Sequence, residues 1–581
     1  DEEDAKLRWL QSQIIGVDAE FDSPFGRRRI VYADHTASGR SLRYIEEHIQ
    51  TKLLPFYGNT HTSDSHVGKR TTEIVQRASK YVKHCLGGSE EDALIFCGSG
   101  STAAIKRLQE VIGIGVPSIL RERFVKCLSD DERWAAIVGP YEHHSNLLSW
   151  RQSLAEVVEI GADADGSIDM ADLEQKLRTF TRPGRERPII ASFSACSNIT
   201  GLVTDTRAVA RMVHQFGGFV CFDFAASGPY VKIEMRSGEM DGYDAIFLST
   251  HKFIGGPGSP GILLISKPLY QLRSSPPSTS GGGTVQYVNG YDQSASFLSN
   301  TNSHFFPLKD TLYIDDIEER EDAGMPAIIG KTRAAMAFWV KEYVGYDAIN
   351  RIEQSYIRRA MERLLPNGKV KILGNAVVER QAILSFLVCP TAVDSTAKSK
   401  PLDGAFVAKL MNDLFGIHAR GGCACAGPYG HTLLDIDERT SKTLRSIIKK
   451  GYVGVKPGWT RVSFPYYMPT DEFEFILSAI EFIAAFGQRF LVLYSFDWKT
   501  GAWTFEKNEL TIHIIINTTT ATHLKSDPDR VAYEIHRDDD LSRERRIYLE
   551  TANRIAQVLS ESPPQRKTPD DIASDAVFFR V

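Results

Sequence analysis

The sequence predicts an α/β protein of two domains, a large one built on a mainly parallel sheet and a smaller α/β domain towards the C-terminus. The chain has 581 residues, which is more than one hydrophobic core usually organises. Between Ala93 and Ile265, short apolar runs alternate with helical patterns, as in a parallel sheet covered on both faces. Helical character returns from Lys331 and ends with an apolar-rich helix over residues 471–486.

Six apolar runs predict the strands of the large domain. They lie at residues 93–97, 135–138, 188–194, 219–222, 245–248 and 261–265. One intervening helix is clearly marked, because the apolar residues of 205–216 follow three-four spacing and Gly217 supplies a left-handed stop.

The domain boundaries follow from these patterns. We expect an N-terminal arm over residues 1–35, a large domain over 36–330, a small domain over 331–490 and a C-terminal extension without an assigned role over 491–581. Residues 274–302 are rich in Ser, Gly, Asn and Pro and predict a long loop. In the extension, 511–516 resembles a strand and 541–559 a helix.

Composition excludes several classes of function. The chain is 42% hydrophobic and 24% charged, as is typical of soluble globular proteins. Its 68 basic and 73 acidic residues give a net charge of -5 without a basic stripe, so a small-molecule substrate is favoured over nucleic acid. No stretch approaches the roughly 18 to 20 apolar residues of a membrane span, and we expect no membrane association.

Cysteine usage indicates the compartment. The eight cysteines are mostly single, and several stand inside apolar runs, which is typical of free thiols in a reducing, intracellular compartment. Whether that compartment is the cytoplasm or an organelle is left open.

The strongest local signal is Ser249-Thr250-His251-Lys252, which follows a strand-like run and precedes the glycine-rich Gly255-Gly256-Pro257-Gly258. A lysine at a strand end beside flexible backbone suits Schiff-base chemistry, because its amine must reach a fixed aldehyde carbon. Taken alone, this signal is only suggestive, because most lysines are solvated surface residues, and the alternative is that Lys252 is a loop lysine.

Four further features precede this lysine. Asp223 ends a buried run and needs a positive partner, such as a protonated pyridine nitrogen, which would make that ring an electron sink. A helix cap or a surface salt bridge is the alternative. Ser99-Gly100-Ser101-Thr102 opens a helix and offers N–H groups to a phosphate. His143 could stack on a flat ring and Asn198 could bond a ring oxygen, although either could lie in an ordinary loop.

Taken in order along the chain, these motifs resemble the class V aminotransferase family of pyridoxal-phosphate (PLP) enzymes, and within it the cysteine desulfurases. The resemblance runs from about Tyr32 to about Phe486. It implies the fold type I PLP-dependent transferase fold, PLP as the cofactor and a homodimer.

The resemblance also assigns roles residue by residue. The phosphate ligands would be Ser101, Thr102, Ser249 and His251, the ring ligands His143, Asn198 and Asp223, and the Schiff-base residue Lys252. Arg461, in Thr460-Arg461-Val462, matches the family's arginine segment and would bind the substrate's α-carboxylate with its guanidinium fork. A surface arginine is the alternative.

Cys425, in Arg420-Gly421-Gly422-Cys423-Ala424-Cys425, falls where some cysteine desulfurases carry their persulfide cysteine. The resemblance implies that L-cysteine or a related amino acid displaces Lys252 from PLP and that the Lys252 amine removes the Cα proton. The Cys425 thiolate then takes the substrate sulfur, giving alanine and an enzyme persulfide. Nearby cations such as Arg420 or the His143 imidazolium would favour the thiolate.

Several alternatives stay open. The two cysteines could hold a metal, although a second Cys/His pair is missing from the sequence nearby, or form a redox couple. This region also looks somewhat like the desulfurase domain of molybdenum-cofactor sulfurases, so the sulfur acceptor, protein or cofactor, is unknown. An aminotransferase, racemase or C–S lyase without a cysteine nucleophile, or a non-catalytic PLP-binding interaction protein, would use the same cofactor.

The chain departs from the family pattern at two positions. Ala226 stands where the family usually has a Gln that bonds the cofactor, and Met325 stands where a Thr commonly reaches the phosphate of the neighbouring subunit. Gly283-Thr284 is a possible substitute for the second. These losses bear on the reaction subtype more than on PLP binding.

Overall fold

The computed structural model describes residues 2–181, 187–271, 276–288, 311–390, 400–507, 537–564 and 566–581. The chain divides into two compact units. The first, here the sheet unit, comprises Ser38–Cys196 and Thr204–Tyr346; the second, here the terminal unit, comprises Asp1–Ala37, Ser197–Val203 and Asp347–Val581. The division after residue 346 lies 16 residues beyond the boundary suggested by the sequence pattern, and both chain ends belong to the terminal unit.

The sheet unit contains nine described strands and ten described α-helices. The strands are Asp92–Cys97, Ala135–Val138, Glu156–Glu159, Ile189–Ser194, Phe219–Asp223, Ala245–Ser249, Gly261–Ser266, Val285–Val288 and Thr311–Tyr313. The helices are Arg43–His48, His66–Cys85, Gly100–Val111, Ser118–Cys127, Ser145–Gln152, Met170–Phe180, Thr206–Gln215, Lys267–Gln271, Ile317–Arg320 and Ile328–Val344. A π-helical turn, Ile49–Leu53, and two 3-10 turns, Leu54–Phe56 and Thr250–Lys252, complete this unit.

Seven of these strands form one mixed, mostly parallel sheet, which confirms the predicted fold class. The strand order, given by first residue, is 92, 261, 245, 219, 189, 135 and 156. Gly261–Ser266 is the one strand of this sheet that runs in the opposite direction to the other six. All six predicted strands are present, and all six are buried along almost their whole length because helices cover both faces.

The common direction of four strands places the motif residues at one edge of the large sheet. Strands Asp92–Cys97, Ala245–Ser249, Phe219–Asp223 and Ile189–Ser194 all point the same way. Their carboxyl ends therefore meet at the same edge, which is where α/β sheets hold their ligands. Asp223 is the last residue of its strand, and Ser101 and Lys252 lie in the helix and the 3-10 turn that closely follow their strands.

The terminal unit contains ten described strands and seven described α-helices. The strands are Glu20–Ser23, Gly26–Arg29, Val31–Tyr32, Val370–Ile372, Ile383–Val388, Ile417–His418, Arg420–Gly422, Trp459–Ser463, Tyr494–Phe496 and Trp503–Phe505. The helices are Glu2–Gln13, Tyr346–Leu364, Gly404–Phe415, Gly427–Leu433, Glu438–Lys449, Thr470–Phe486 and Arg537–Val558, with 3-10 turns at Val453–Val455, Gly487–Leu493 and Ser574–Ala576.

An antiparallel four-stranded sheet organises this unit, in the order Val370–Ile372, Ile383–Val388, Trp459–Ser463 and Arg420–Gly422. The C-terminal extension is part of the same core. Helix Arg537–Val558 buries Tyr548 and Ile555 among the residues of the small domain, and Arg580 pairs with the backbone beside Leu402. The predicted strand at 511–516 and most of the predicted loop at 274–302 lie outside the described residues.

One helical stretch corrects the expectation that no segment reaches membrane length. Among the described residues, Thr470–Leu493 is long and apolar enough to cross a bilayer, with a mean hydropathy of 1.7 in its most apolar window. In the structure 61% of that window is buried, and its side chains, such as Ile476 and Ile480, belong to the core of the terminal unit.

A histidine ion pair ties two central strands together. Asp244, just before strand Ala245–Ser249, accepts from the His214 ring at 2.8 Å and from the Val220 backbone N–H at 2.8 Å. The other ring nitrogen of His214 bonds the Met240 carbonyl at 2.9 Å. The Asp244 carboxylate raises the pKa of His214 above its ordinary value of 6.5.

We therefore predict a pH-dependent contribution to stability. Because the folded-state pKa of His214 exceeds the unfolded value, the contribution is complete below pH 6.5 and is lost as pH rises through the folded-state pKa. The melting temperatures of the protein and of His214→Gln should differ more at about pH 6 than at about pH 8. An equal difference at the two pH values would show that the charged pair contributes nothing.

Candidate active site

Lys252 ends a rigid turn at the carboxyl edge of the large sheet. It is the last residue of the 3-10 turn Thr250–Lys252, which follows strand Ala245–Ser249. Thr250 is fully buried, and its hydroxyl accepts from Ser259 at 2.8 Å. A Cβ on Gly256 would lie 1.9 Å from the Thr250 carbonyl oxygen, so only glycine allows the chain to close behind the lysine.

Asp223 ends the neighbouring strand Phe219–Asp223 and is electrostatically coupled to Lys252. The carboxylate is 4% exposed and accepts from the Ala225 N–H at 2.9 Å. Burial raises its pKa, and the Lys252 ammonium opposes this rise. Ala226, the departure from the family pattern, is buried in the turn that follows.

Helix Gly100–Val111 begins against the same turn. The Ser101 N–H donates to the Ser249 hydroxyl at 2.9 Å, and the two hydroxyls lie 3.3 Å apart. A Cβ on Gly100 would stand 2.7 Å from Ser249 Oγ and 2.8 Å from His251 Cε1, and its φ of +58° also favours glycine. Backbone N–H groups and hydroxyls thus converge at a helix N-terminus, an arrangement suited to a phosphate.

His143 is connected to this helix start through Ser145. The Ser145 hydroxyl lies 2.6 Å from the Thr102 hydroxyl and 3.1 Å from His143 Nδ1. The Ser145 backbone N–H donates to the same Nδ1 at 3.1 Å. An Nδ1 that accepts this bond corresponds to the tautomer with its proton on Nε2.

Glu142 is a buried carboxyl that the sequence analysis did not single out. One of its oxygens accepts the Ser194 N–H at 2.9 Å, and the other accepts from the Ser194 hydroxyl at 2.6 Å and from Asn146 at 2.7 Å. Burial raises its pKa to about 7, and the negative charge of Asp223 adds to the rise. These bonds attach the backbone before His143 to strand Ile189–Ser194.

The remaining predicted residues lie in the terminal unit. Ala424 and Cys425 form the centre of a turn in which the Ala426 N–H bonds the Cys423 carbonyl at 3.2 Å. Both central residues have positive φ, 48° and 58°. Cys425 is exposed and Cys423 half-buried, whereas five other cysteines are buried. We call residues Cys423–Ala426 the thiol turn.

Asn198 contacts this turn directly. Its side-chain Nδ2 donates to the Ala424 carbonyl at 3.0 Å. Its Oδ1 is buried and has no hydrogen-bond partner among the described residues. The residue itself is 7% exposed.

Arg461 is buried and paired. It donates to Asp34 at 2.6 Å and to the Asn198 carbonyl at 3.0 Å. On the adjacent antiparallel strand, Arg420 is its register partner. Burial and the Arg420 charge lower the pKa of Arg461, while Asp34 and Cys425 oppose this change. Arg461 therefore interacts with one carboxylate, with a second guanidinium group and with the Cys425 thiol. Asp34 was not predicted as a site residue, and no local motif distinguishes it.

The structure thus groups the ten predicted site residues in two sets. The sheet unit holds seven of them: Ser101, Thr102, His143, Asp223, Ser249, His251 and Lys252. The terminal unit holds the other three: Asn198, Cys425 and Arg461.

Two other positions that the sequence singled out are Met325 and Thr284. Met325 is 52% exposed, and the Thr284 hydroxyl donates to the Gly281 carbonyl at 2.7 Å within its own turn. Over the described ranges, no group of three or more His, Cys, Asp or Glu side chains could hold a metal ion.

Comparison with known proteins identifies the family. The sequence profile of the family described as Aminotransferase class-V matches residues 31–475. A probable cysteine desulfurase of Staphylococcus aureus is 23% identical over 411 residues, which cover 70% of this chain and 86% of the relative. A probable cysteine desulfurase of Pyrococcus abyssi is 23% identical over 473 residues, covering 80% of this chain and 97% of the relative.

Solved structures agree on the fold. A cysteine desulfurase from Thermococcus onnurineus NA1 in its apo form matches with a TM-score of 0.60 and 20% identity, covering 82% of this chain and 98% of that one. A cysteine desulfurase from Escherichia coli matches with a TM-score of 0.56 and 18% identity, covering 82% and 97%. The predicted transferase fold is confirmed.

The raised pKa of Glu142 can be tested through the pH dependence of the protein's stability. Its folded-state pKa is raised from 4.5 to about 7, so ionisation destabilises the fold as pH rises through this interval. Relative to Glu142→Gln, the free energy of unfolding in urea should fall by about 3 kcal/mol between pH 4.5 and pH 7. A difference that does not change with pH would contradict the raised pKa.

Proposed function

The chain belongs to the aminotransferase class-V family, and we propose that it is a PLP-dependent cysteine desulfurase, which takes sulfur from L-cysteine to give alanine and a persulfide on Cys425. The observation that carries the proposal is the buried Asp223 coupled to Lys252 beside the Gly100–Ser101 helix start. The names and functions of the relatives support the same reaction, at identities near 23%.

The residues of the sheet unit fit PLP. Ser101, Ser249 and the N-terminus of helix Gly100–Val111 would hold the phosphate, and the close packing at Gly100 leaves backbone rather than a side chain on that surface. Asp223 would hold the proton of the pyridine nitrogen, and Lys252 would hold the aldehyde carbon. When bound, this cofactor supplies an electron-accepting ring that labilises the bonds at the substrate's Cα.

Each side chain then has one task. Lys252 carries the Cα proton, because a neutral primary amine is both nucleophile and base. Asp223 is buried where its negative charge is unfavourable without a cation, so it would keep the nitrogen of a bound pyridine ring protonated. His143 would stack its flat ring on the cofactor, and the Ser145 N–H, which donates to His143 Nδ1, fixes the orientation of that ring.

The terminal unit supplies the carboxylate and sulfur functions. Arg461 has five N–H donors and uses some of them on Asp34 and Asn198, which leaves others for the substrate's α-carboxylate. The Cys425 thiolate forms an S–S bond with the substrate sulfur while the Cβ–S bond breaks. The electron pair of that bond, with one proton, completes the methyl group of alanine.

The surroundings of the reaction are part of the same proposal. All eight cysteines are free in the structure, which supports a reducing intracellular compartment. The persulfide would pass to a sulfur-acceptor protein or cofactor. A homodimer is supported by the hairpin of Val285–Val288 and Thr311–Tyr313, which exposes Tyr287, Val288 and Leu312 by 55 to 62%.

Lys252 is tested by covalent capture of the cofactor. Borohydride should fix PLP to the protein but not to Lys252→Ala, since no alanine or arginine can form an imine. Lys106→Ala, which removes an exposed lysine from the helix that begins at Gly100, is the matched control and should retain capture. Covalent PLP on the Lys252→Ala protein, located by peptide mass, would refute the assignment.

Cys425 is tested separately from the cofactor. Cys425→Ser should bind PLP and still change its absorbance on adding L-cysteine, yet release no alanine and carry no persulfide, because a serine hydroxyl is scarcely ionised near neutral pH. Cys423→Ser is the matched control and should retain most activity.

Two results would contradict the assignment of Cys425. If Cys423→Ser is inactive while Cys425→Ser works, the nucleophile is Cys423. If both variants release alanine at the parental rate, the PLP reaction does not use a cysteine nucleophile.

A further inference from the structure

The thiol turn has an unfavourable backbone conformation. Ala424 and Cys425 both occupy the left-handed region, with φ of 48° and 58°. For residues other than glycine, asparagine and aspartate this region is sterically unfavourable, because Cβ lies too close to the backbone. Turns with two such central residues usually contain Asn-Gly or Gly-Gly. Interactions outside Cys423–Ala426 must therefore stabilise the conformation that presents the Cys425 thiol.

The only bond within the turn is that from the Ala426 N–H to the Cys423 carbonyl at 3.2 Å, among the described residues. The Ala424 carbonyl takes no part in this bond and accepts the side-chain amide of Asn198 at 3.0 Å. Ala424 is 8% exposed. Without Asn198 this carbonyl would be a buried, unsatisfied acceptor, which would disfavour the turn.

Asn198 is itself held on a rigid segment. Its carbonyl accepts from Arg461 at 3.0 Å, and the next carbonyl, of Ile199, accepts the Ser385 hydroxyl at 2.6 Å. The Thr200 carbonyl accepts from Arg380, also at 2.6 Å. These anchors place residues Ser197–Val203 in the terminal unit, although the residues on both sides in sequence belong to the sheet unit.

We propose that Asn198 is a positioning residue for sulfur transfer, whose side-chain amide holds the thiol turn in its left-handed conformation and so fixes the Cys425 thiol. This deepens the proposed function and rests on it. The role is distinct from binding the cofactor ring oxygen. One N–H of the amide serves the Ala424 carbonyl, while the second N–H and the partnerless Oδ1 are available for other contacts.

The two roles differ in their dependence on residue 424. A glycine at 424 adopts positive φ without steric cost, so it lowers the need for an external clamp. If Asn198 acted only by binding the cofactor, Ala424→Gly would not change the effect of losing the Asn198 side chain. A double-mutant cycle between Asn198→Ala and Ala424→Gly therefore measures the clamp alone.

The experiment uses full-length, PLP-loaded protein with cofactor occupancy measured by absorbance, and the readout is the single-turnover rate of alanine and persulfide formation from L-cysteine. In the parental background, Asn198→Ala should slow this rate about tenfold, the effect of losing one buried hydrogen bond. In the Ala424→Gly background, the same substitution should slow it only about threefold. An equal loss in both backgrounds, or no loss in either, would overturn the proposal.

A second measurement does not depend on catalysis. In Asn198→Ala, amide hydrogen exchange of the peptide containing Cys423–Ala426 should become faster, and Ala424→Gly should partly reverse that change. Unchanged exchange would overturn the clamp. If the parental protein makes no alanine or persulfide, the proposed function fails, and the exchange result still decides whether Asn198 holds the turn.

Discussion

The enclosure of Asp223 at the carboxyl edge of the sheet is the constraint on which the rest of the site depends. A carboxylate that is 4% exposed at the end of a buried strand requires a cation nearby. Lys252, on the adjacent strand end, is the cation whose charge opposes the rise of its pKa. The sheet order makes this possible, because Phe219–Asp223 and Ala245–Ser249 are neighbouring parallel strands and Asp223 pairs with Phe247, close to the end of the second strand. The helix start at Gly100 then closes on the same turn through Ser101 and Ser249.

The terminal unit meets a different requirement, that of keeping a reactive thiol accessible while its backbone is fixed. Most cysteines of the chain are buried, where burial raises the thiol pKa, as at Cys97 and Cys221. Cys425 instead lies exposed on a turn whose backbone is bonded to Asn198 and whose surroundings include Arg461. Rigidity and exposure are thus combined in four residues, and the buried Asp34–Arg461 pair anchors the adjoining strand.

Sequence patterns predicted those features that depend on local order. Continuous apolar runs identified all six of the strands proposed, and Gly217 correctly marked the end of helix Thr206–Gln215. The edge strand Glu156–Glu159 was missed because its residues are only partly buried and two of the four are acidic.

Contacts between distant segments were not predictable. Nothing in the local sequence around Asp34 indicates Arg461 as its partner, and the tail at 537–581 could be assigned to the small-domain core only once its apolar face was seen packed there. The link through Ser145 was missed for a related reason, since its hydroxyl joins Thr102 to His143 only after folding.

The central claim is that this chain converts L-cysteine by abstraction of sulfur rather than by another PLP reaction. Quantification of all products by mass after a single turnover of the PLP-loaded protein with L-cysteine tests it most directly. The account predicts one alanine and one protein-bound sulfane sulfur per active site, with the added mass of one sulfur atom on the peptide that contains Cys425. Pyruvate with ammonia and free sulfide, or a keto acid with the aminated cofactor, would contradict it.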